Sequence, residues 1–198
     1  MSWTGCFIGL NGGYAWGRDR LNLADGTLSS DYKMDGGVIG GQIGCDYQVG
    51  QFVFGIEGMY DWADIKGGAA LVTGGNNLAR TLVDGLGLVT ARAGLAFNQN
   101  MTLAYVRGGY AAQHIKNRPF EAPPGTPNQF ENSHFEDGWV VGGGLEHRFM
   151  PNWSVRAEYL HAEFKGSPND INVNGGASFP RTTRSRLDLV TVGLNYRF

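Results

Sequence analysis

The sequence predicts an all-β fold, an eight-stranded antiparallel up-and-down transmembrane β-barrel. Three observations lead to it: apolar and polar residues alternate along eight segments, the connections between those segments alternate between short and long, and the composition suits a β-protein. The 198 residues include 32 Gly and 12% aromatic residues, but only 7 Pro and 17% charged residues. That balance fits neither a helical bundle nor a disordered chain.

The alternating segments have the length of strands that cross a bilayer. We predict strands near residues 3–16, 36–48, 52–64, 83–97, 101–113, 138–149, 153–164 and 185–198. Most exceed the ~9 to 11 residues that a tilted strand needs to span the hydrocarbon region. The longest apolar runs are only a few residues long, far short of the ~18 that a transmembrane helix requires.

The connections between the strands are asymmetric. Residues 49–51, 98–100 and 150–152 are tight turns. The other connections are long, polar and rich in Gly, Asn and Pro: residues 17–35, 65–82, 114–137 and 165–184. Short turns on one rim and long loops on the other are typical of a barrel in an outer membrane. We therefore expect both chain termini at the periplasmic rim and four loops outside.

Each predicted strand has one apolar and one polar face, which is the period of two expected for a strand. In the last strand the apolar face carries Val190, Val192, Leu194, Tyr196 and Phe198, and the polar face carries Thr191, Gly193, Asn195 and Arg197. This pattern does not say which face lies inside. A soluble lipocalin-like barrel, with apolar residues inward, is the alternative to a membrane barrel.

Aromatic residues gather near both ends of the strands. Towards the long loops they are Tyr14, Trp16, Tyr60, Trp62, Tyr110 and Trp139, and towards the short turns Tyr47, Phe52, Phe97, Phe149, Trp153, Tyr196 and Phe198. Two such girdles are expected at the two membrane interfaces, where amphipathic rings lie at headgroup depth. A soluble barrel requires neither girdle, so the pattern favours the membrane barrel.

Several strand motifs resemble a known family. Residues 3–17, WTGCFIGLNGGYAWG, look like the first strand of the small outer-membrane proteins of alphaproteobacteria, the surface-antigen, opacity-like porin family with an OmpA-type barrel. Segments 108–111, 138–146, 157–159 and 193–198 lie where that family repeats its motifs. The resemblance covers essentially every strand and none of the long loops.

The resemblance implies a single barrel domain, residues 1–198, in the bacterial outer membrane, with a signal peptide that is absent or trimmed. The terminal aromatics Tyr196 and Phe198 would be the membrane-insertion signal that the barrel-insertion machinery reads. Other expected partners are outer-membrane lipid, lipopolysaccharide and a host or surface ligand of the loops. The first expectation for function is a non-enzymatic structural and surface protein; a narrow gated pore and a haem-binding or adhesin receptor are the alternatives.

Two cysteines depart from the pattern, since the family more often has an aromatic or aliphatic residue at the position of Cys6. Cys6 and Cys45 lie on the strand faces that are predicted to point outward, near the start of strand one and the end of strand two. A hairpin that pairs them would also pair Leu10 with Gly41. An oxidising periplasm permits a disulfide, although the required geometry is demanding. Two possibilities remain: a disulfide between the two cysteines, or two free thiols that face the membrane.

The predicted lumen carries eight charged residues on the inward parity: Glu57, Asp61, Arg92, Arg107, Glu146, Arg148, Arg156 and Glu158. Eight strands enclose an interior that side chains just fill, so these groups must meet. Buried charges require partners, and an Arg fork can bind carboxylates in two places at once. The network either fills and rigidifies the lumen or acts as a gate. A wide channel would need roughly 16 strands.

No catalytic residue and no metal site is predicted. An Arg partner for each carboxylate holds it ionised, and the four histidines lack metal-binding spacing. No resident cofactor is expected, and haem is the one candidate, on His114 or His134 with the loop aromatics Phe120, Phe130 and Phe135. The net charge of −2 excludes the basic surface that nucleic-acid binding needs.

Overall fold

Eight long strands close into one antiparallel barrel. The structure, a computed structural model, describes residues 2–22, 29–70, 78–118, 132–165, 171–173, 177–179 and 182–198. The strands are β1 (Gly5–Asn22), β2 (Ser29–Val49), β3 (Phe52–Ala70), β4 (Leu78–Phe97), β5 (Thr102–Arg118), β6 (Asn132–Arg148), β7 (Trp153–Lys165), β8 (Ile171–Val173), β9 (Ala177–Phe179) and β10 (Thr182–Arg197). The order around the barrel is β1-β10-β7-β6-β5-β4-β3-β2, which confirms the predicted fold class.

Several strands extend further towards the long loops than predicted. β2 begins at Ser29 rather than near residue 36, and β6 begins at Asn132 rather than near 138. The hydrophobic alternation fades where a strand leaves the bilayer, but backbone pairing continues, and Asn22 still pairs with Ser29. The separate pair β8 and β9 lies within the predicted loop 165–184, which the sequence pattern did not reveal.

The apolar faces of the strands point outward and the polar faces point inward. Leu10 is 73% exposed and Ile56 is 69% exposed, whereas Glu146 is fully buried. All thirteen girdle aromatics are exposed. This arrangement is the reverse of a lipocalin-like barrel and suits a lipid surround. Among the described residues, no helix is long and apolar enough to cross a membrane.

Most buried side chains in the outer half of the lumen are apolar, although Asp61 and the hydrogen-bonded pair Gln113 and Glu136 are also buried there. The apolar side chains form the outer apolar layer: Ala15, Met34, Val38, Met59, Ile65, Leu86, Leu88, Ala111, Val140, Leu160, Ala162, Phe164, Leu187 and Leu189. A smaller cluster at the periplasmic end consists of Trp3, Val53, Ala96, Leu103 and Tyr105. Buried charged side chains fill the lumen between the two clusters.

Cys6 and Cys45 are joined by a disulfide. They are direct partners in the register of β1 and β2, and the same register pairs Leu10 with Gly41. Cys45 is on the outward parity of β2, between the buried residues Gly44 and Asp46. The bond therefore links the first hairpin covalently on its lipid-facing side, near the periplasmic rim.

Removing this disulfide is expected to lower the free energy of unfolding. The two cysteines are 39 residues apart, and closing a loop of that length restricts the unfolded chain by up to about 4 kcal/mol. The measurement is urea unfolding of the Cys6→Ala/Cys45→Ala variant in lipid vesicles. Reductant should shift the wild type by the same amount and leave the variant unchanged; equal stability of the two proteins would contradict the prediction.

Candidate functional site in the barrel lumen

Two layers of buried ion pairs cross the lumen. We call their charged members the lumen network: Asp46, Glu57, Arg92, Arg107, Glu146, Arg156, Glu158 and Arg197. All eight side chains are buried. In a barrel this narrow, inward residues from alternate strands stack in layers, and the two layers of the network follow that rule.

The layer nearer the periplasm is a closed circuit through every second strand. Arg92 on β4 binds Asp46 on β2 through Nε at 2.7 Å and Nη2 at 2.5 Å, and it reaches Glu146 on β6 at 3.2 Å. Asn195 on β10 donates to Glu146 at 3.0 Å. Arg197, also on β10, returns to Asp46 at 2.6 Å. The circuit thus connects β2, β4, β6 and β10 around the whole barrel.

The second layer joins β3, β5 and β7. Glu57 on β3 accepts hydrogen bonds from Arg107 at 2.9 Å and from Arg156 at 2.8 Å. Glu158 lies two residues from Arg156 on the same face of β7 and accepts from Arg156 at 3.1 Å and from Arg107 at 3.2 Å. Tyr105 donates its hydroxyl to Glu158 at 2.8 Å. Since β3 and β7 are opposite one another in the barrel, the Glu57–Arg156 pair spans its full width.

The register explains why the carboxylates are needed. Arg92 and Arg107 are direct partners on β4 and β5, and like charges directly opposite each other destabilise a sheet. Carboxylates on both sides neutralise them, and Arg92 also lies 3.5 Å from Glu57, which connects the two layers. The arginine side chains are held further by aromatic faces: Arg92 lies 4.6 Å above the Phe7 ring.

Six of the eight predicted lumen charges lie in the network and two do not. Arg148 is at the periplasmic end, where it donates to the Ser2 carbonyl at 2.7 Å and lies 4.5 Å above the Trp3 ring. Asp61 is buried on β3, but both of its carboxylate oxygens lack a hydrogen-bond partner. The expectation that Asp61 pairs within the network is therefore wrong, because the nearby arginines are bound by Glu57 and Glu158.

The prediction missed Asp46 and Arg197, which complete the first circuit. The alternation of inward and outward side chains along each strand indicates an inward position for both residues. Asp46 follows Cys45, which is on the outward parity, so its own side chain must point inward. Arg197 lies on the polar face of the last strand. The neutral members Ser154, Thr191 and Asn195 also share the inward parity, and each donates a hydrogen bond to a network carboxylate.

The charged groups of the lumen network are bound to one another. Each carboxylate of the lumen network accepts from at least two donors, and each of its arginines binds at least one carboxylate. No group of three or more His, Cys, Asp or Glu side chains in the described part of the chain could hold a metal ion. Charges this deeply buried are tolerated because they are paired, and removing one partner leaves an uncompensated charge.

One of the two candidate haem histidines can be described in full. His114 Nδ1 is 2.6 Å from Asp84 Oδ1, and its ring centroid is 4.8 Å from that of Phe135. A depression of about 330 Å³ on the outer surface of the barrel is lined by Tyr60, Gly85, Gly87, Ala112, His114 and Phe135. Phe120 and Phe130 lie outside the described residues, and only the backbone of His134, in β6, is described.

The predicted insertion signal also lies on the outer surface. Tyr196 is 40% exposed and Phe198 is 70% exposed, both towards the lipid. The Tyr196 ring packs against Trp153 with a centroid distance of 5.1 Å. The backbone amide of Phe198 donates to the Cys6 carbonyl at 3.0 Å, so the last residue is tied to the first strand.

Comparison with known proteins identifies the family. The profile of the outer membrane protein beta-barrel domain matches residues 2–198. The chain belongs to this family. It is an outer-membrane protein, and the curated relatives are named outer-membrane immunogenic proteins. The 31 kDa outer-membrane immunogenic protein of Brucella melitensis is 29% identical over 215 residues, covering 100% of this chain and 85% of the relative.

Two further similarities agree with this assignment. The 25 kDa outer-membrane immunogenic protein of Brucella abortus is 28% identical over 203 residues, covering 100% of this chain and 80% of the relative. Among solved structures, the outer membrane protein OprG from Pseudomonas aeruginosa superposes with a TM-score of 0.52 at 12% identity, over 98% of this chain and 96% of that one. The similarity to OprG concerns the fold alone.

Replacing Glu57 of this outer-membrane barrel with Gln is expected to cost about 3 to 5 kcal/mol of stability, because two buried arginines lose their shared carboxylate. The matched control is Glu163→Gln, which breaks a pair with the exposed Arg186 at 2.9 Å and should cost at most about 1 kcal/mol. Urea unfolding in lipid vesicles measures both. Equal losses in the two variants would show that the lumen network does not stabilise the barrel.

Proposed function

We propose that this protein is a non-enzymatic structural and surface protein of the outer membrane, with a closed lumen and four long connections displayed outside. The observation that carries the proposal is the filling of the lumen. The Glu57–Arg156 pair bridges opposite walls, and the circuit of Asp46, Arg92, Glu146 and Arg197 lies beneath it. Above both lies the outer apolar layer.

The two kinds of filling exclude solutes in different ways. The lumen network occupies the cross-section with side chains whose hydrogen bonds are made to one another. An apolar constriction opposes the passage of water and ions because wetting it is unfavourable. A solute would have to pass both the lumen network and the outer apolar layer. The barrel therefore has a mechanical role, and recognition belongs to the loops, where specificity usually lies.

The relatives support the surface role through their names. Two Brucella relatives are called outer-membrane immunogenic proteins, and segments outside the membrane are the part of such a protein that antibodies reach on intact cells. We assign that exposure here to the long connections. The expected partners are outer-membrane lipid and lipopolysaccharide along the apolar outer face, the barrel-insertion machinery through Tyr196 and Phe198, and a surface or host ligand through the loops.

A narrow gated pore is the second candidate, and one observation favours it. Arg92 binds Asp46 and Glu146 while lying 3.5 Å from Glu57. An exchange of carboxylate partners would therefore require only a small movement of its guanidinium group. The outer apolar layer would still have to become wet before the lumen could conduct.

Planar-bilayer recordings separate these two functions. We expect no channel events from the wild type, nor from Arg92→Ala or Arg107→Ala, because the outer apolar layer remains dry in each. Adding Leu160→Ser and Leu187→Ser to Arg107→Ala is expected to produce conductance steps. Folding of each variant is checked by its mobility on an unboiled gel. Conductance that rises with a single arginine replacement would replace the structural proposal with the pore.

A haem titration tests the receptor alternative. If the protein has no haem site, adding haem to the folded barrel in detergent micelles gives the same Soret spectrum for the wild type, His114→Ala and His134→Ala. We expect this result. A spectral change that saturates in the wild type and is lost in either variant would instead make the protein a haem receptor.

A further inference from the structure

A second polar feature of the lumen lies at the inner edge of the outer apolar layer, where Asp61 follows Met59 and precedes Ile65 along β3. Asn11 on β1 is the register partner of Gly40 on β2, which is in turn the partner of Asp61 on β3. A Cβ atom built on Gly40 would lie 2.0 Å from Asp61 Oδ1. The Asp61 carboxylate therefore lies over Gly40, in space that any larger residue would occupy, and points towards Asn11.

The polar atoms at this place lack partners in the protein. Asp61 is fully buried and neither carboxylate oxygen accepts a hydrogen bond, and the Asn11 amide, 4% exposed, is also unpaired. The two side chains are close enough to interact across Gly40 without forming a well-oriented hydrogen bond. On the same face of β2, Gln42 donates through Nε2 to the Leu10 carbonyl and Asn195, while its Oε1 is unpaired.

The nearby positive charges are already bound. Arg107 and Arg156 lie within electrostatic range of Asp61, as does Glu158. Both arginines donate to Glu57 and to Glu158 instead. A carboxylate removed from water without a counter-charge is very unfavourable. A positive charge at this position would offset part of that cost.

We propose that Asp61, Asn11 and Gln42 form a binding site for one monovalent alkali cation, with sodium as the probe. The four unpaired acceptor atoms are all oxygens, two from a carboxylate and two from amides, and hard cations prefer oxygen ligands to nitrogen or sulfur. A single carboxylate matches a single positive charge. Gly40 provides the space that the Asp61 carboxylate occupies next to Asn11.

Water is the competing occupant. One nitrogen of each nearby guanidinium group, Arg107 Nη2 and Arg156 Nε, is also unpaired, and ordered water could bridge these nitrogens to Asp61 without any cation. Such water would be insensitive to the identity of the salt. Sodium binding, in contrast, stabilises the folded barrel by mass action: at ten times the dissociation constant, the folded-to-unfolded ratio rises about 11-fold.

The experiment is equilibrium dialysis of the refolded wild type, in detergent micelles, against radioactive sodium chloride in a background of N-methylglucamine chloride. We expect one saturable site per folded chain. Asp61→Asn should lose it and Asn11→Ala should weaken it. The matched control is Asp35→Asn, which removes an exposed rim carboxylate that accepts from Tyr14 and should bind like the wild type.

Two results would overturn the proposal: no saturable sodium binding by the wild type, or undiminished binding by Asp61→Asn. The first result would mean that the unpaired oxygens are hydrogen-bonded to water or that Asp61 is protonated. If Asp61→Asn does not fold, as judged on an unboiled gel, the comparison of wild type with Asn11→Ala decides. Urea unfolding in the two chloride salts at equal ionic strength gives the second readout, with the 11-fold stabilisation expected in sodium alone.

Discussion

Inside a bilayer a backbone amide or carbonyl finds no water, so a strand that crosses it must be hydrogen-bonded on both sides. The pairing of β1 with β10 meets this requirement and leaves no free edge in the barrel. Closing eight strands then fixes a lumen so narrow that side chains must fill it. The lumen network, the outer apolar layer and the absence of an evident wide channel among the described residues all follow from that one closure.

The lumen network depends on closure in return. Arg156 and Glu57 are 99 residues apart in sequence, and Arg197 and Asp46 are 151 apart, yet each pair is in contact. Neither pair can form in an isolated hairpin. An arginine that reaches its carboxylate only when opposite walls are in place favours the complete barrel over partly assembled sheets. The network therefore contributes specificity for the closed state, in addition to whatever stability its ion pairs supply.

Strand parity predicted most of this from sequence, and its failures have physical causes. It gave the inward set that includes Glu57, Arg107 and Arg156, because a strand alternates faces without exception between bulges. It could not assign partners, so Asp61 was expected to pair although Glu57 and Glu158 bind the same arginines more directly. The outer ends of β2 and β6 were missed because hydrophobic alternation is a signal of lipid contact, while backbone pairing continues in water.

The disulfide, the lumen network and the outer apolar layer all lie on the strands. A substitution that touches none of the residues of these three features therefore leaves the main supports of the barrel intact. A chain built in this way can change its exposed surface while conserving its frame, so its architecture permits variation of that surface at little risk to folding.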